Sequence, residues 1–341
     1  MSARLRPVAI SVPGKLLLSG EYAVLDGAPA IVSCVDRFCD AQAVPAAQHS
    51  VTVTGPEAFS DAFELVNGEV HWASGADSPA RQMLATLLRA LPPVGPMALT
   101  IDSTAFYSGK RKLGLGSSAA VAVAAGTVLA GASGYADAMQ TIADAHAVFQ
   151  GGQGSGADIY TVARGGTVLY KRPPTVPAIY SSVSWPAGLI ALPIACPVAA
   201  STKDRIRRFA RWREQHTDSG HAVAALGAAA TAVASVWRRG DAPAVLAALR
   251  AFTQQMQSVA EAANLEYMLG GHEALTELAR AYDIVYKPCG AGGGDFGVAL
   301  AVDSQALADF STAASDAGFD VPTMSVVGNA PILRSVSAGD F

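Results

Sequence analysis

The sequence predicts an α+β protein folded as two lobes with mixed sheets and packed helices. Strand-like and helix-like stretches are mixed along the chain without a strict βαβ alternation. At 341 residues the chain can fill two lobes, each with a sizeable core. A proline cluster at Pro173, Pro174, Pro177 and Pro186 marks the expected boundary, with an N-terminal lobe over 1–175 and a C-terminal lobe over 176–341.

Taken in order, Val8–Val12 and Lys15–Ser19 read as short strands, and Ala30–Phe38 as another. Phe63–Trp72 reads as a hairpin, because Asn67-Gly68 suits the positive φ angles of a two-residue turn and polar and apolar residues roughly alternate around it. Pro79–Leu91 reads as helix and Met97–Asp102 as extended. A helix of small apolar residues follows to about Ala130, with another near Ala136–Phe149, a glycine-rich turn at Gly151–Gly156 and a strand at Thr167–Lys171. Beyond the prolines, Lys203–Gln215, His221–Arg238, Ala242–Ala263 and Glu273–Tyr282 read as helices, and Ile284–Tyr286 and Phe296–Val302 as strands.

Composition narrows the function. A chain that is 51% hydrophobic and 15% charged is not disordered. A net charge of −4 argues against general nucleic-acid binding. The longest low-polarity stretches, Ala119–Ala132 and Ala187–Ala200, run to about 14 residues, short of the ~20 that span a bilayer, so no membrane segment is expected. The first residues hold no apolar run of signal-peptide length. Cys34, Cys39, Cys196 and Cys289 show neither CxxC nor zinc spacing, and three of them sit in apolar runs, so reduced thiols and a cytoplasmic location are expected. Oligomeric state is not legible.

Three glycine-rich segments carry the chemistry: Pro13–Gly27, Lys112–Gly126 and Lys287–Ala301. In the second, Gly114 and Gly116 allow a tight turn, and Ser117 and Ser118 open a helix. Such a turn aims unpaired N–H groups and the positive end of the helix dipole at one point, a seat for phosphate. A serine N-cap on a buried helix is the plainer alternative. No Walker loop competes, since Gly14-Lys15 and Gly109-Lys110 are followed by Leu and Arg, and the glycines at 152, 154 and 156 have the wrong spacing for a dinucleotide fingerprint. Lys15 enters an apolar strand, which is costly unless its ammonium finds a partner or ligand. Asp158 follows Gly154-Ser155-Gly156, where a substrate has room to approach; a helix-capping carboxylate is the alternative. Three successive glycines, Gly292, Gly293 and Gly294, lose more backbone entropy than a plain turn requires, and Asp295 behind them is read as holding that loop.

In their order along the chain, GKLLLSGEYAVLDG, GLGSSAAVAV, GSGAD and GAGGGDFGVAL resemble the GHMP kinases, the galactokinase, homoserine, mevalonate and phosphomevalonate kinases. The likeness spans residues 13–301. It implies a two-lobed fold with the active site between the lobes, ATP and Mg²⁺ as cofactors, and a small-molecule phosphate or alcohol as acceptor. Carried over by motif, it implies Lys15 and Asp158 as catalytic and paired with each other, and Lys112, Gly114, Leu115, Gly116, Ser117 and Ser118 at the nucleotide, with Ser118 on the metal. It implies Glu21, Tyr22, Ser155, Lys203, Gly292, Gly293, Gly294 and Asp295 at the substrate. Gly20-Glu21-Tyr22, where mevalonate kinases usually have Gly-Glu-His, is similar to the phosphomevalonate kinases. The basic segment Lys203–Arg213 is similar to one near their acceptor, and Lys110, Arg111 and Lys112 are further cations for a phosphorylated acceptor; a solvated helix face is the alternative. The glutamate that many mevalonate kinases use for Mg²⁺ is missing here, and Asp144 and His146 stand in that region. An alcohol acceptor, such as mevalonate or a sugar, and a non-catalytic nucleotide-binding protein are the competing readings.

Overall fold

The computed structural model describes residues 5–109, 111–152, 154–173, 176–198 and 202–327, and the side chains within them apart from 202 and 203. Lys110 and Ser201, and the Lys203 side chain, therefore lie outside what is described.

The N-terminal lobe is sheet-rich. Its strands are β1 (Val8–Ser19), β2 (Ala30–Pro45), β3 (Ser50–Thr54), β4 (Phe59–Val66), β5 (Glu69–Trp72), β6 (Met97–Asp102), the short pair β7 (Tyr107–Ser108) and β8 (Arg111–Lys112), and β9 (Thr167–Lys171). Its helices are α1 (Pro79–Ala90), α2 (Ser117–Ser133), α3 (Met139–Phe149) and α4 (Ala157–Arg164). The C-terminal lobe is helix-rich. Strand β10 (Ile179–Ser182) still belongs to the N-terminal sheet, at its edge beside β9; after it come β11 (Ile190–Ala195), α5 (Thr202–Gln215), α6 (Ser219–Arg239), α7 (Ala242–Ala262) and α8 (His272–Arg280). Strands β12 (Val285–Pro288) and β13 (Phe296–Ala301) and helix α9 (Ser304–Asp316) complete it, and strand β14 (Val326–Val327) returns to the sheet of the N-terminal lobe. The mixed α+β architecture is the one expected.

The large sheet runs β10-β9-β2-β6-β3-β4-β5, with β1 and β14 also on β2. Every pairing in it is antiparallel except β3 with β6. The two short strands expected at Val8–Val12 and Lys15–Ser19 are one strand whose register slips at Pro13/Gly14. Proline has no N–H for the ladder, so pairing shifts there and resumes. The Asn67-Gly68 turn has φ 54° and 81°, as the hairpin requires. A second sheet, β11-β13-β12, is antiparallel throughout.

Helix α2 lies under the large sheet, against β1, β2, α3 and α4. Small and apolar residues lie on every side of it, as suits a helix with most of its residues buried. Its small residues set the spacing: a methyl group on Gly126 would stand 2.4 Å from Ile142. Helix α6, outside the two low-polarity stretches read from the sequence, tests the expectation of no membrane segment. By length and composition it could cross a membrane. Its buried residues, Val223, Leu226, Ala230, Val233, Ala234 and Trp237, instead fall on one stripe, and α7 packs beside it. Alanines on the other face raise its hydropathy. All four cysteines are free and buried.

Candidate active site

A cavity of about 520 Å³ opens where the lobes meet. Lys15, Glu21 and Tyr22 enter it from the first motif, and Lys112, Gly114, Gly116, Ser117 and Ser118 from the second. Ser155 and Asp158 come from the turn before α4, and Gly290, Gly292, Gly294 and Asp295 from the last glycine loop. Segments nearly 300 residues apart along the chain thus line one space.

The second motif is built as a backbone cradle. Gly116 is the N-cap of α2 with φ 79°, and no side chain caps the helix. Ser117 and Ser118 lie inside the first turn, so neither is the N-cap that the plainer alternative required. The first N–H groups of α2 are left for a ligand. Lys15 is set against this turn: its N–H donates to the Leu115 carbonyl at 2.8 Å. Its stem runs over Gly116, where a methyl group would stand 2.9 Å from Cε. Leu115 contributes that carbonyl while its side chain is buried in the core. The Ser118 hydroxyl meets His146 Nε2 at 3.3 Å, and Gln150 meets the same nitrogen at 3.3 Å. Asp144 is exposed and accepts from Gln140, so of the two residues in that region His146 is the one beside Ser118.

Asp158 is in the first turn of α4, behind the left-handed N-cap Gly156. It is not the cap; its Oδ1 accepts the N–H of Ile159 at 2.9 Å. Lys15 and Asp158 both line the cavity, but among the described residues they form no ion pair within 4 Å. The direct pairing expected from the sequence is not made, because the lysine stem follows Gly116 and the carboxylate turns to its own helix. Ser155 supports the turn, its hydroxyl accepting from Ala157 N and its carbonyl from the Tyr170 hydroxyl.

The last glycine loop is held from every side. The Tyr22 hydroxyl donates to the Ala291 carbonyl at 3.1 Å, Gly293 N to Tyr267 O at 2.8 Å, and Asp295 N to Val198 O at 2.8 Å. His272 Nε2 lies 2.9 Å from the Gly294 carbonyl. Burial pushes the His272 imidazole down to about 4, so it is neutral at pH 7. Nε2–H then donates to Gly294, and Nδ1 accepts from the Tyr286 hydroxyl at 2.9 Å. The glycines have protein neighbours as well as the cavity. A methyl group on Gly292 would stand 2.3 Å from the Tyr267 ring, and one on Gly293 would stand 1.9 Å from an Arg205 nitrogen. Gly290 and Gly294 face the cavity. Cys289 also lines it, but burial raises its thiol to about 12, which removes it as a nucleophile.

The geometry adds residues that motif reading passes over. Arg205 lies on the loop, and its Nε donates to the Leu265 carbonyl. Lys287 sits at 0% exposure on β12 and pairs with Glu21. A lysine in the apolar run Ile284–Pro288 carries the same signal that singled out Lys15. Val53, Met83, Leu84 and Val121 form an apolar flank of the cavity. Among the described residues, no three His, Cys, Asp or Glu side chains cluster as a metal site.

This fold is that of a GHMP-kinase-type enzyme. Residues 79–166, from α1 to the turn before β9, match the family model of the GHMP kinases N-terminal domain. The chain is 27% identical to a phosphomevalonate kinase from Streptomyces sp. (strain CL190), over 91% of this chain and 94% of that one. Among solved structures, the Lin0012 protein from Listeria innocua superposes with a TM-score of 0.81 at 17% identity, over 95% of this chain and 100% of the other. The Streptococcus pneumoniae phosphomevalonate kinase in complex with phosphomevalonate and AMPPNP does so with 0.76 at 17%, over 94% and 100%. Solved mevalonate kinases and a galactokinase share the fold too, so the structural likeness singles out no acceptor. The N-terminal family match and these structural likenesses agree on a GHMP-kinase-type fold.

Proposed function

We propose that this protein is an ATP- and Mg²⁺-dependent kinase of a small metabolite, and that its acceptor is 5-phosphomevalonate. The observation that carries the kinase reading is the convergence of Lys15, Ser118, Asp158 and the Gly290–Asp295 loop on one cavity. ATP supplies the phosphoryl group and Mg²⁺ offsets its charge. The uncapped amides of α2 fit a polyphosphate, and the apolar flank around Met83 and Val121 fits a purine face. Ser118 fits a cation that keeps most of its ligands as water and phosphate oxygens. Lys15 stabilises charge on the transferring group, and Asp158 orients the acceptor oxygen. Phosphoryl transfer needs little more than positioning and electrostatics. The division into lobes at residues 175/176 belongs to the same reading.

Three observations favour a phosphorylated acceptor. Tyr22 occupies the first-motif position and ties the glycine loop. A cleft beside the cavity is lined by Arg172, Arg207, Arg211 and Arg213, a cationic edge suited to an acceptor with close to two negative charges. The 27% identical relative bears the name phosphomevalonate kinase. The test is a coupled ADP-release assay with mevalonate, 5-phosphomevalonate, homoserine, galactose and other sugars. Turnover restricted to 5-phosphomevalonate is the expected result. Efficient turnover of mevalonate or a sugar alone replaces the acceptor and keeps the kinase. ATP binding with no turnover on any acceptor points to a nucleotide-binding protein without catalysis.

A further inference from the structure

We infer that Lys287 is a positioning residue for this cavity: its ammonium fastens the strand leading into the glycine loop to the strand that carries Lys15. The side chain is at 0% exposure, on β12 in the C-terminal lobe. Its Nζ donates to the Leu17 carbonyl at 3.3 Å, to Glu21 Oε1 and to the Pro288 carbonyl. An ammonium has three N–H groups, and these three partners use them all. Leu17 is two residues beyond Lys15 on β1, and Pro288 is two residues before Gly290. One buried atom therefore joins the backbones that present the two cationic and glycine-rich walls of the site.

Glu21 completes the device. It is 1% exposed, and its second oxygen has no hydrogen-bond partner. Tyr22, Tyr267 and Cys289 beside it are pushed up by burial and stay neutral at neutral pH. The further cations of this neighbourhood, Arg205 near Tyr22 and Lys15 near Cys289, form no ion pair with Glu21 among the described residues. Among the described residues, Lys287 is the cation within 4 Å of this carboxylate. An apolar pair of similar volume often fills such a space at no loss of stability. Three directed bonds do what an apolar pair cannot: they fix where the strands sit relative to each other.

The kinetic part of the test rests on the kinase reading, and the unfolding part does not. Lys287→Met, Glu21→Gln and the double variant are compared with wild type by unfolding midpoint from pH 5 to 8, and by kcat and KM. In Lys287→Met, Glu21 is buried without a counter-charge, so its carboxyl holds a proton in the folded state above the usual value of about 4.3. The folded state then binds more protons than the unfolded one, and the midpoint falls as pH rises above that value. The double variant regains a midpoint independent of this ionisation, while kcat stays roughly tenfold or more below wild type, because the directed bonds are lost. Wild-type kcat and KM in Lys287→Met overturn the inference. So does full recovery of kcat in the double variant, which reduces the pair to charge balance. If Lys287→Met does not fold at pH 7, the double variant decides. If wild type transfers no phosphoryl group, the kinase reading falls separately, and a pH-independent midpoint in Lys287→Met then overturns the inference.

Discussion

Asp295 closes over Gly114. A methyl group on Gly114 would stand 2.5 Å from the Asp295 carboxyl carbon, so the last glycine loop and the backbone cradle of the second motif meet there with no room for a side chain. Gly114 also has φ 71°, a conformation that costs an L-residue about 1–2 kcal/mol. Gly114→Ala is expected to lower kcat/KM for ATP roughly 100-fold by pushing the loops apart, with a drop of a few degrees in the unfolding midpoint. Steady-state kinetics and a thermal melt check this. An unchanged kcat/KM would mean that the contact between the loops has no bearing on catalysis.

Ser118→Ala separates a ligand-binding hydroxyl from a packing one. The serine caps nothing, so its loss is expected to change stability by no more than about 0.5 kcal/mol. KM for Mg·ATP is expected to rise about tenfold, most visibly at limiting Mg²⁺. Full activity under those conditions would assign the hydroxyl to its contact with His146 alone.

Asp158→Asn reports on the acceptor. An alcohol acceptor needs a base, and losing it is expected to cost roughly 10²- to 10⁴-fold in kcat. A phosphate acceptor is already ionised near neutral pH, so the loss is expected at the low end or below, with little pH dependence above about 7. The measurement is kcat from pH 6 to 9 for both proteins, with circular dichroism to check folding. A large loss that tracks an ionisation seen in wild type contradicts the phosphate acceptor, and no loss removes Asp158 from the site.

His272 predicts a pH window for stability. Its folded pKa of about 4 lies below the ordinary value near 6.5. Between the two, the unfolded chain binds the extra proton, so stability is full above about 6.5 and falls as pH drops toward 4. The loss is about 3 kcal/mol at most. His272→Gln keeps a donor for Gly294 and removes the titration. Denaturant unfolding at pH 7, 6, 5 and 4 is expected to show a shallower slope in the variant. Equal slopes would place the acid sensitivity in other groups.

What the sequence determined by itself was local. Asn67-Gly68 specified its turn because positive φ is a property of those two residues. The run after Gly116 specified a buried helix because every face of it is small or apolar. The strain of a lysine among leucines marked Lys15. Other elements carry weaker local signals. Helix α9, rich in alanine and serine, has no element assigned to it from sequence, and β14 is two residues that become a strand only when β2 lies beside them. Tertiary structure alone decided that Lys287 meets Glu21 across 266 positions, that Arg205 rests on Gly293, and that the Lys15 stem follows Gly116 rather than pairing directly with Asp158. Backbone preference depends on a residue and its neighbours in the chain, so it is written locally. The partner of a buried charge depends on which distant segments the fold brings within about 3 Å, and that is decided only when the core has closed.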